Sequence, residues 1–420
     1  MKVVVDATAS ERNAARQILG VSVLGRILNE LFLLGAEQIT VVSDAPSGAG
    51  DGLSKELARG AALCWVQVPP GADLDVILDA IDGRGSELLV VPADVVASRA
   101  FLSAALRHPV GPGTAAVFSP AERAEPGSGR IRKLAPGGAR AIASGQVQSV
   151  ELDGFCSRVC ERSSAKRARR ILLDQLRKPI EIDGLLGYTI MRPITLRVTR
   201  FLASTPLRPN HLTALTALVG LAGVALVAFG DAGLAVAGAG LFFLACYFDC
   251  LDGELARIKY QTSYLGAFLD TISDDVQTLL FIGAVGWYLQ RTGQGWLHVG
   301  LAAASMLVFA LAQLYIYFRL HTGVHSGDLL DFEWAFEKRA RAPKERSLLP
   351  LVKYVIKRDF YTALFFVLFS AGLPRAVSFL LAVFTLGYAV AIIVHVAMER
   401  EWLRSDSRVE ASSCIQERSA

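Results

Sequence analysis

The chain has 420 residues, of which 52% are hydrophobic, and its formal net charge is only +4. A charge this small argues against a nucleic-acid-binding protein. Charged residues are spread through residues 1–208 and then become rare in several long apolar segments, which indicates a soluble part followed by an integral membrane part.

The first 150 residues alternate between short apolar runs and helix-compatible stretches. The apolar or β-branched runs are Val3–Val5, Ile39–Val42, Ala62–Val68, Leu88–Val91 and Ala115–Phe118. The stretches between them are Ala14–Leu34, Ser54–Arg59, Leu74–Asp82 and Ala100–Leu106. This alternation predicts an α/β domain with a mostly parallel, doubly wound sheet. Met1–Asp6 fits a buried strand better than a signal peptide.

Two segments of this predicted domain resemble the sugar-nucleotidyltransferases. One is the first strand together with Gly35–Asp44, and the other is Leu88–Asp94, where that family places a metal-binding Asp. The family opens with a Gly-rich loop that holds the nucleotide phosphates and is followed by a Lys. Residues 6–13 contain no glycine, and no Lys follows them before Lys55. We therefore expect a degenerate domain that serves docking, stability or regulation.

Residues 151–208 are predicted to form a linker with amphipathic juxtamembrane helices. Ser163–Arg170 is a basic, helix-compatible run, and Tyr188–Arg200 places three arginines among Ile, Leu, Val and Phe. Such a pattern is typical of a helix that lies on the cytoplasmic membrane surface, where arginines meet anionic headgroups.

Residues 209–399 carry six apolar segments, which we predict to be membrane spans. A helical span needs about 20 residues to cross a bilayer core of about 30 Å. The six predicted spans are His211–Phe229, Gly233–Ala256, Tyr264–Gln290, Trp296–Leu320, Phe360–Leu373 and Val377–Val396. The fifth is short and is expected to include Tyr354–Asp359 at its entry. Residues 400–420 form a predicted cytoplasmic tail.

The distribution of basic residues predicts the orientation of these spans. On one side lie Arg257, Lys259, Lys338, Arg339, Arg341, Lys344, Arg346, Lys353, Lys357, Arg358, Arg400, Arg404 and Arg408. The other side carries only Arg291 and Arg375. We therefore expect a multi-pass protein of the cell (inner) membrane, with the N-terminal domain and the C-terminus in the cytoplasm. A cytoplasmic location also argues against disulfides, and the six cysteines do not form a metal-ligand set.

Four carboxylates, Asp249, Asp252, Asp270 and Asp274, lie in or beside some of the most apolar sequence of the chain. A carboxylate at membrane depth is costly unless it is paired, hydrated or bound to a metal. The spacings of three and four residues place each pair on one helix face. Hard oxygen ligands without His or Cys predict Mg2+, Mn2+ or Ca2+ rather than zinc. Polar helix contacts or a proton relay in a transporter are the alternatives.

The segment from Asp249 to Asp274 resembles the signature of the CDP-alcohol phosphotransferase family, Asp-x2-Asp-Gly-x2-Ala-Arg-x8-Gly-x3-Asp-x3-Asp. All eight fixed positions are filled, by Asp249, Asp252, Gly253, Ala256, Arg257, Gly266, Asp270 and Asp274. Asp275 lies outside the pattern, about 100° around the helix from Asp274, and is interpreted as a group that packs or supports the helices. The segment Pro209–Thr213 at the entry to the first span also resembles this family.

The resemblance implies a role for each matching residue. Asp249, Asp252, Asp270 and Asp274 would hold two Mg2+ or Mn2+ ions, and Asp274 would also act as the base that takes the acceptor's proton. The residues implied to bind the CDP-linked donor are Gly253, Ala256, Arg257, Gly266, Asn210 and Thr213. The candidate ligands of a phosphorylated acceptor are Arg319, Lys357 and Arg358, which could equally be cytoplasmic membrane anchors.

The order of a nucleotidyltransferase-like domain, a basic surface helix and six spans resembles the fused inositol-phosphate cytidylyltransferase and di-inositol-phosphate-phosphate synthase type. This resemblance implies transfer of a phosphoalcohol or phosphatidyl group from a CDP-alcohol to a polyol or polyol phosphate such as inositol phosphate, with release of CMP. It also implies a homodimer in membrane lipid and no nucleic-acid partner. A phospholipid synthase that uses CDP-diacylglycerol with another acceptor and a transporter are the rival interpretations. A membrane-anchored nucleotidyltransferase would need the missing Gly-rich loop.

Overall fold

The computed structural model divides the chain into two compact units. The first comprises Met1–Leu176, Arg200–Pro206 and Arg257–Gln261, and the second comprises Arg177–Thr199, Leu207–Ala256 and Thr262–Ala420. The structure describes residues 2–8, 11–44, 62–69, 87–121, 131–136, 138, 141–142, 147–178, 180–183, 186–323 and 358–418.

The first unit is built on β-strands. In the described residues these are β1 (Lys2–Asp6), β2 (Gln17–Ile18), β3 (Val21–Ser22), β4 (Gln38–Ser43), β5 (Ala62–Gln67), β6 (Leu88–Pro92), β7 (Val95–Ala97), β8 (Ala115–Pro120), β9 (Ile131–Leu134), β10 (Val147–Leu152) and β11 (Cys156–Arg158). Its helices are α1 (Glu11–Ala14), α2 (Val23–Leu33), α3 (Arg99–Arg107) and α4 (Arg162–Asp174).

Seven strands form one mixed sheet in the order β10-β8-β9-β6-β1-β4-β5. β5, β4, β1 and β6 run parallel to one another, β10 is parallel to β8, and β9 is antiparallel to both of its neighbours. Val3 and Val5 belong to one buried cluster and Val4 to another, because successive side chains of a strand point to opposite faces. Both faces of β1 are therefore covered. The prediction of a mostly parallel α/β sheet is confirmed.

The predicted helix Ala14–Leu34 is wrong in its first half. β2 and β3 pair as a short antiparallel hairpin, and the turn between them places Leu19 at φ 52° and Gly20 at φ 76°. A helix cannot accommodate two successive residues of positive φ. Ser22 then begins α2, because its hydroxyl accepts the backbone N–H of Gly25 at 3.0 Å.

The other predicted helices of this unit have different outcomes. Ala100–Leu106 is confirmed, since it lies within α3. Ser54–Arg59 and Leu74–Asp82 lie outside the described residues.

The second unit is helical. Its elements are α5 (Ile180–Asp183), a π-helical turn (Gly187–Met191), α6 (Arg192–Leu202), α7 (Pro209–Phe229), α8 (Ala232–Ile258), α9 (Tyr264–Arg291), α10 (Leu297–Gly323), α11 (Arg358–Ser370) and α12 (Pro374–Arg418). Of α6 and α8, the residues up to Thr199 and up to Ala256 belong to this unit. An apolar core joins α8, α9 and α11, where the stacked rings of Phe242 and Phe281 lie 4.2 Å apart and Phe365 lies beside Phe281. Close packing of α7 on α8 requires Gly223, because a Cβ there would fall 2.7 Å from the backbone carbonyl oxygen of Gly238.

Four helices of the described residues are long and apolar enough to cross a membrane: Pro209–Phe229, Ala232–Ile258, Leu297–Phe318 and Pro374–Met398. They correspond to the first, second, fourth and sixth predicted spans. The third predicted span corresponds to α9, a helix of 28 residues that carries three aspartates, and the fifth corresponds to α11, a helix of 13 residues. The count of six spans therefore stays a prediction.

Candidate metal centre of the helical unit

Two helices of the second unit carry the four aspartates of the sequence motif. Asp249 and Asp252 lie in the last three turns of α8. Asp270 and Asp274 lie in the second and third turns of α9, which begins at a defined position because the Ser263 hydroxyl accepts the N–H of Gly266 at 3.0 Å.

Three of these carboxylates converge. Asp249, Asp252 and Asp270 each offer one oxygen, and these oxygens all lie within 4.8 Å of one another. Asp252 is 3% exposed, and Oδ1 of Asp249 is buried and has no hydrogen-bond partner in the described part of the chain. Three buried or half-buried acidic groups at this separation repel one another unless a cation lies between them. The donor set consists of oxygen alone, so the arrangement fits Mg2+ or Mn2+.

Thr213 supports the Asp252 carboxylate from α7. Its hydroxyl donates to Oδ2 of Asp252 at 2.6 Å and fixes the direction of that side chain. The neighbouring Asn210, in the first turn of α7, lies near Gly266, where an added Cβ would be 4.0 Å from the Asn210 Oδ1. The structure thus brings both residues of the Pro-Asn entry to the helices of the aspartates. Thr213 contacts a carboxylate, whereas the sequence predicted that it binds the donor.

Asp274 has a different partner from the other three aspartates. Its carboxylate forms an ion pair with the guanidinium of Arg358, the first residue of α11. Among the residues that the structure describes, Nε and Nη2 of Arg358 are buried and have no hydrogen-bond partner. The structure therefore brings together the predicted base and one predicted acceptor ligand. Both side chains remain partly exposed, at 22% for Asp274 and 17% for Arg358.

Comparison with known proteins agrees with this geometry. Residues 207–329, which include α7, α8, α9 and α10, match the sequence profile described as CDP-alcohol phosphatidyltransferase. This region is a CDP-alcohol phosphatidyltransferase domain. The four apolar helices of the described residues indicate a membrane protein.

Two curated relatives carry the same name, "Bifunctional IPC transferase and DIPP synthase". The protein from Aquifex aeolicus (strain VF5) is 28% identical over 168 residues, which cover 39% of this chain and 38% of the relative. The protein from Thermococcus kodakarensis (strain ATCC BAA-918 / JCM 12380 / KOD1) is 33% identical over 109 residues, 26% of this chain and 24% of the relative. The chain thus spans less than two fifths of the length of either.

Two solved structures also show similarity. One is a putative glucose-1-phosphate thymidylyltransferase from Bacillus anthracis, with 12% identity and a TM-score of 0.31; the match covers 40% of this chain and 93% of that one. The other is a UDP-glucose pyrophosphorylase from Acinetobacter baumanii, with 11% identity and a TM-score of 0.32; the match covers 47% of this chain and 99% of that one. TM-scores this low support no conclusion about fold or activity.

Asp275 of the CDP-alcohol phosphatidyltransferase domain points away from the converging carboxylates. It accepts hydrogen bonds from the Tyr317 hydroxyl at 2.7 Å and from the Gln313 amide. These contacts join α9 to α10 and agree with its interpretation as a group that packs the helices. Gln313 and Tyr317 were missed in the sequence, although two polar side chains four residues apart in an apolar segment are a usable signal.

The remaining residues predicted to bind the donor or the acceptor lie near the ends of α8 and α10 or outside the described residues. Gly253, Ala256 and Arg257 are half-buried near the C-terminal end of α8. Arg319 lies in the last turns of α10, and Lys357 lies outside the described residues. The roles of all these residues in donor and acceptor binding stay predictions.

Proposed function

We propose that this protein is an integral membrane CDP-alcohol phosphotransferase. It transfers a phosphoalcohol or phosphatidyl group from a CDP-linked donor to an acceptor hydroxyl and releases CMP. The observation that carries the proposal is the convergence of the Asp249, Asp252 and Asp270 oxygens within 4.8 Å, inside a domain that matches the family profile. A transporter would need acidic residues in its helices too, but it has no reason to match that profile.

The converging carboxylates are the proposed metal ligands, with two Mg2+ or Mn2+ ions as the expected occupancy. When bound there, such ions would supply the positive charge that neutralises the pyrophosphate of a CDP-alcohol and the leaving CMP. Thr213 holds Asp252 in the orientation that ligation requires, as supporting groups of metal sites do. Gly253, Ala256 and Gly266 leave room for the nucleotide beside the ions, and Arg257 and Asn210 are the proposed polar contacts of the donor.

Asp274 is the proposed general base, one helical turn from Asp270. Its ion pair with Arg358 leaves two guanidinium nitrogens that have no hydrogen-bond partner within the described ranges. The phosphate of an acceptor such as inositol phosphate would satisfy these donors and bring its hydroxyl next to Asp274. Arg319 and Lys357 are the further candidates for that phosphate. The relatives' names, which include IPC transferase and DIPP synthase, support a polyol phosphate as one substrate.

The main alternative within this reaction class is a phospholipid synthase that uses CDP-diacylglycerol and another acceptor. The two versions differ in where the product partitions. A radiolabelled acceptor should enter the organic phase if a lipid is formed, and the aqueous phase if a soluble phosphodiester is formed.

The juxtamembrane helix α6 supports the proposed topology. Ile194 and Val198 are exposed on one face, whereas Thr195 and Thr199 are buried on the other. A helix with an exposed apolar face fits the membrane surface. We propose that α6 lies at the cytoplasmic side of the inner membrane, with both termini in the cytoplasm. A homodimer stays a prediction.

The N-terminal α/β domain is proposed to be non-catalytic. Asp94, at the position where sugar-nucleotidyltransferases place a metal ligand, is fully buried and forms an ion pair with Arg158. Nε of Arg158 lies 3.1 and 3.0 Å from the two carboxylate oxygens, and Nη2 lies 2.8 Å from Oδ2. This hydrogen bonding raises the pKa of Arg158, so the guanidinium stays charged. A metal ion would have to displace it.

We expect no nucleotidyl transfer by this domain. Full-length protein supplied with CTP, Mg2+ and a polyol phosphate should release no pyrophosphate above background, because Asp94 is engaged by Arg158. Pyrophosphate can be followed by a coupled colorimetric assay, and CMP release from a CDP-alcohol by the same preparation is the positive control. Sustained pyrophosphate release that disappears in an Asp94→Asn variant would show the domain to be a working nucleotidyltransferase.

CMP release should depend strictly on a divalent metal. Purified protein in detergent or nanodiscs, tested with a panel of CDP-alcohols, should lose activity in excess chelator and regain it with Mg2+ or Mn2+. The panel also identifies the donor. Full turnover in chelator would refute the proposed role of Asp249, Asp252 and Asp270.

A further inference from the structure

Glu254 is a fifth acidic residue in the motif segment, and it lies in the most buried environment of that segment. Its side chain is completely inaccessible to solvent, although it is only two residues from Asp252. Two residues correspond to about 200° around an α-helix, so Glu254 projects from the opposite side of α8. Its carboxylate therefore cannot join the cluster of three aspartates without unwinding the helix.

Both oxygens of Glu254 are occupied by donors from one face of α6. Oε1 accepts from Nη1 of Arg192 at 2.5 Å and from the Thr195 hydroxyl at 2.6 Å. Oε2 accepts from the Thr199 hydroxyl at 2.6 Å. Arg192, Thr195 and Thr199 are spaced three and four residues apart, which places them on a single stripe of the helix. A buried carboxylate is stable only when it is paired and hydrogen-bonded in this way.

Arg192 extends the network to a second carboxylate. Its Nε and Nη2 donate to the two oxygens of Asp183 at 2.6 Å each, which is a bidentate arrangement. The side chains of Arg192 and Asp183 are 6% and 7% exposed. One guanidinium therefore bridges α5 to α8, and α6 is fixed to α8 by its polar face while its apolar face remains exposed.

The geometry assigns Glu254 as a positioning residue for the metal centre. This assignment rests on the proposed function. Asp252 is held by Thr213 of α7 from one side of α8, and Glu254 is held by α6 from the other. The last turns of α8 are thus fixed between two elements. A shift of about 1 Å in this segment would separate the Asp252 oxygen from those of its partners, and misplacements of that size are costly in a catalytic site.

The test compares Glu254→Ala with Glu254→Gln in the full-length protein. Glu254→Ala removes the acceptors of Arg192 Nη1, Thr195 and Thr199 and leaves only the Asp183 contacts of Arg192, so the amides of α6 should exchange with deuterium at least about tenfold faster. The Mn2+ concentration for half-saturation, measured by electron paramagnetic resonance, should rise about 10- to 100-fold, as for other supporting groups of metal sites. Glu254→Gln keeps an amide oxygen that accepts hydrogen bonds. Its amide exchange in α6 and its Mn2+ affinity should therefore both lie much closer to the wild-type values than those of Glu254→Ala.

Phe242→Leu is the matched control, because this residue belongs to the same helix but packs in the apolar core. It should lower the melting temperature without changing exchange in α6 or Mn2+ affinity. If Glu254→Ala does not fold, the double variant Thr195→Val and Thr199→Val can be used, because it removes two of the three donors to Glu254. Its α6 exchange and its Mn2+ affinity should change in the same direction but less.

The assignment is overturned if Glu254→Ala leaves both α6 exchange and Mn2+ affinity as in the wild type. If turnover nevertheless falls while α6 exchange and Mn2+ affinity remain unchanged, Glu254 acts on the substrate directly. The exchange and Mn2+ measurements do not require turnover. A wild-type protein without CMP release would therefore refute the proposed reaction and still leave the positioning role to be decided by these measurements.

Discussion

Asp252→Asn and Asp270→Asn should each lower kcat/KM for CMP release by about 1,000-fold, with a parallel loss of Mg2+ affinity. Metal ions contribute several kcal/mol of charge stabilisation in reactions of this kind, and about 1.4 kcal/mol corresponds to a factor of ten in rate. An Asn side chain keeps the size and one oxygen of the ligand but removes the negative charge. Because the ligand set is weakened rather than abolished, raising the Mg2+ concentration should restore part of the activity.

Asp275→Asn is the control for this experiment, since Asp275 lies beside Asp274 in the chain but contacts Tyr317 and Gln313. It should lose far less kcat/KM than Asp252→Asn and should keep its Mg2+ requirement, because its carboxylate contacts α10 and does not belong to the three converging carboxylates. Steady-state assays over a range of Mg2+ concentrations separate the two behaviours. An Asp252→Asn variant that matches Asp275→Asn in both rate and Mg2+ dependence would contradict the proposed ligand role.

Local features of the sequence predicted five of the seven strands of the sheet, and β9 and β10 were not predicted. β1, β4, β5, β6 and β8 lie where short apolar runs occur. A strand buried on both faces, such as β1, needs an uninterrupted run of such residues, whereas Cys64 and Gln67 of the edge strand β5 are exposed. Helical spacing predicted that Asp249 and Asp252 share one helix face and that Asp270 and Asp274 share another. Spacing does not join the two pairs. The resemblance to the family signature grouped all four, and the structure brings together the oxygens of Asp249, Asp252 and Asp270.

Features that depend on distant segments were not predictable in the same way. The β2–β3 hairpin interrupts a stretch of good helix formers, because Leu19 and Gly20 adopt positive φ that propensity alone does not reveal. Arg192 was recognised as a basic residue of an amphipathic helix, but its burial against Glu254, 62 residues away, is a tertiary contact. The pairing of Asp274 with Arg358 likewise joins two helices that no local pattern connects.

Asp274→Asn should lower kcat about 100- to 10,000-fold, the usual range for loss of a general base, while metal affinity and donor KM stay near the wild-type values. The asparagine cannot take the acceptor's proton, and added Mg2+ cannot supply that function. Single-turnover measurements with separate titrations of metal and donor distinguish this behaviour from that of Asp252→Asn. If the two variants respond alike to Mg2+, Asp274 is a metal ligand rather than a dedicated base, and the reaction class is unaffected.

Arg358→Gln completes this comparison. Arg358 is the ion-pair partner of Asp274, and its Nε and Nη2 have no hydrogen-bond partner among the described residues. If it binds the acceptor's phosphate, the variant should raise the KM for a phosphorylated polyol and leave the KM for the CDP-linked donor unchanged. Loss of one charge-assisted contact of about 1.5–3 kcal/mol corresponds to a change of about 10- to 150-fold. The unphosphorylated polyol, assayed in parallel, should be used equally well by both proteins. An equal loss with both acceptors would mean that Arg358 acts by orienting Asp274 and not by binding phosphate.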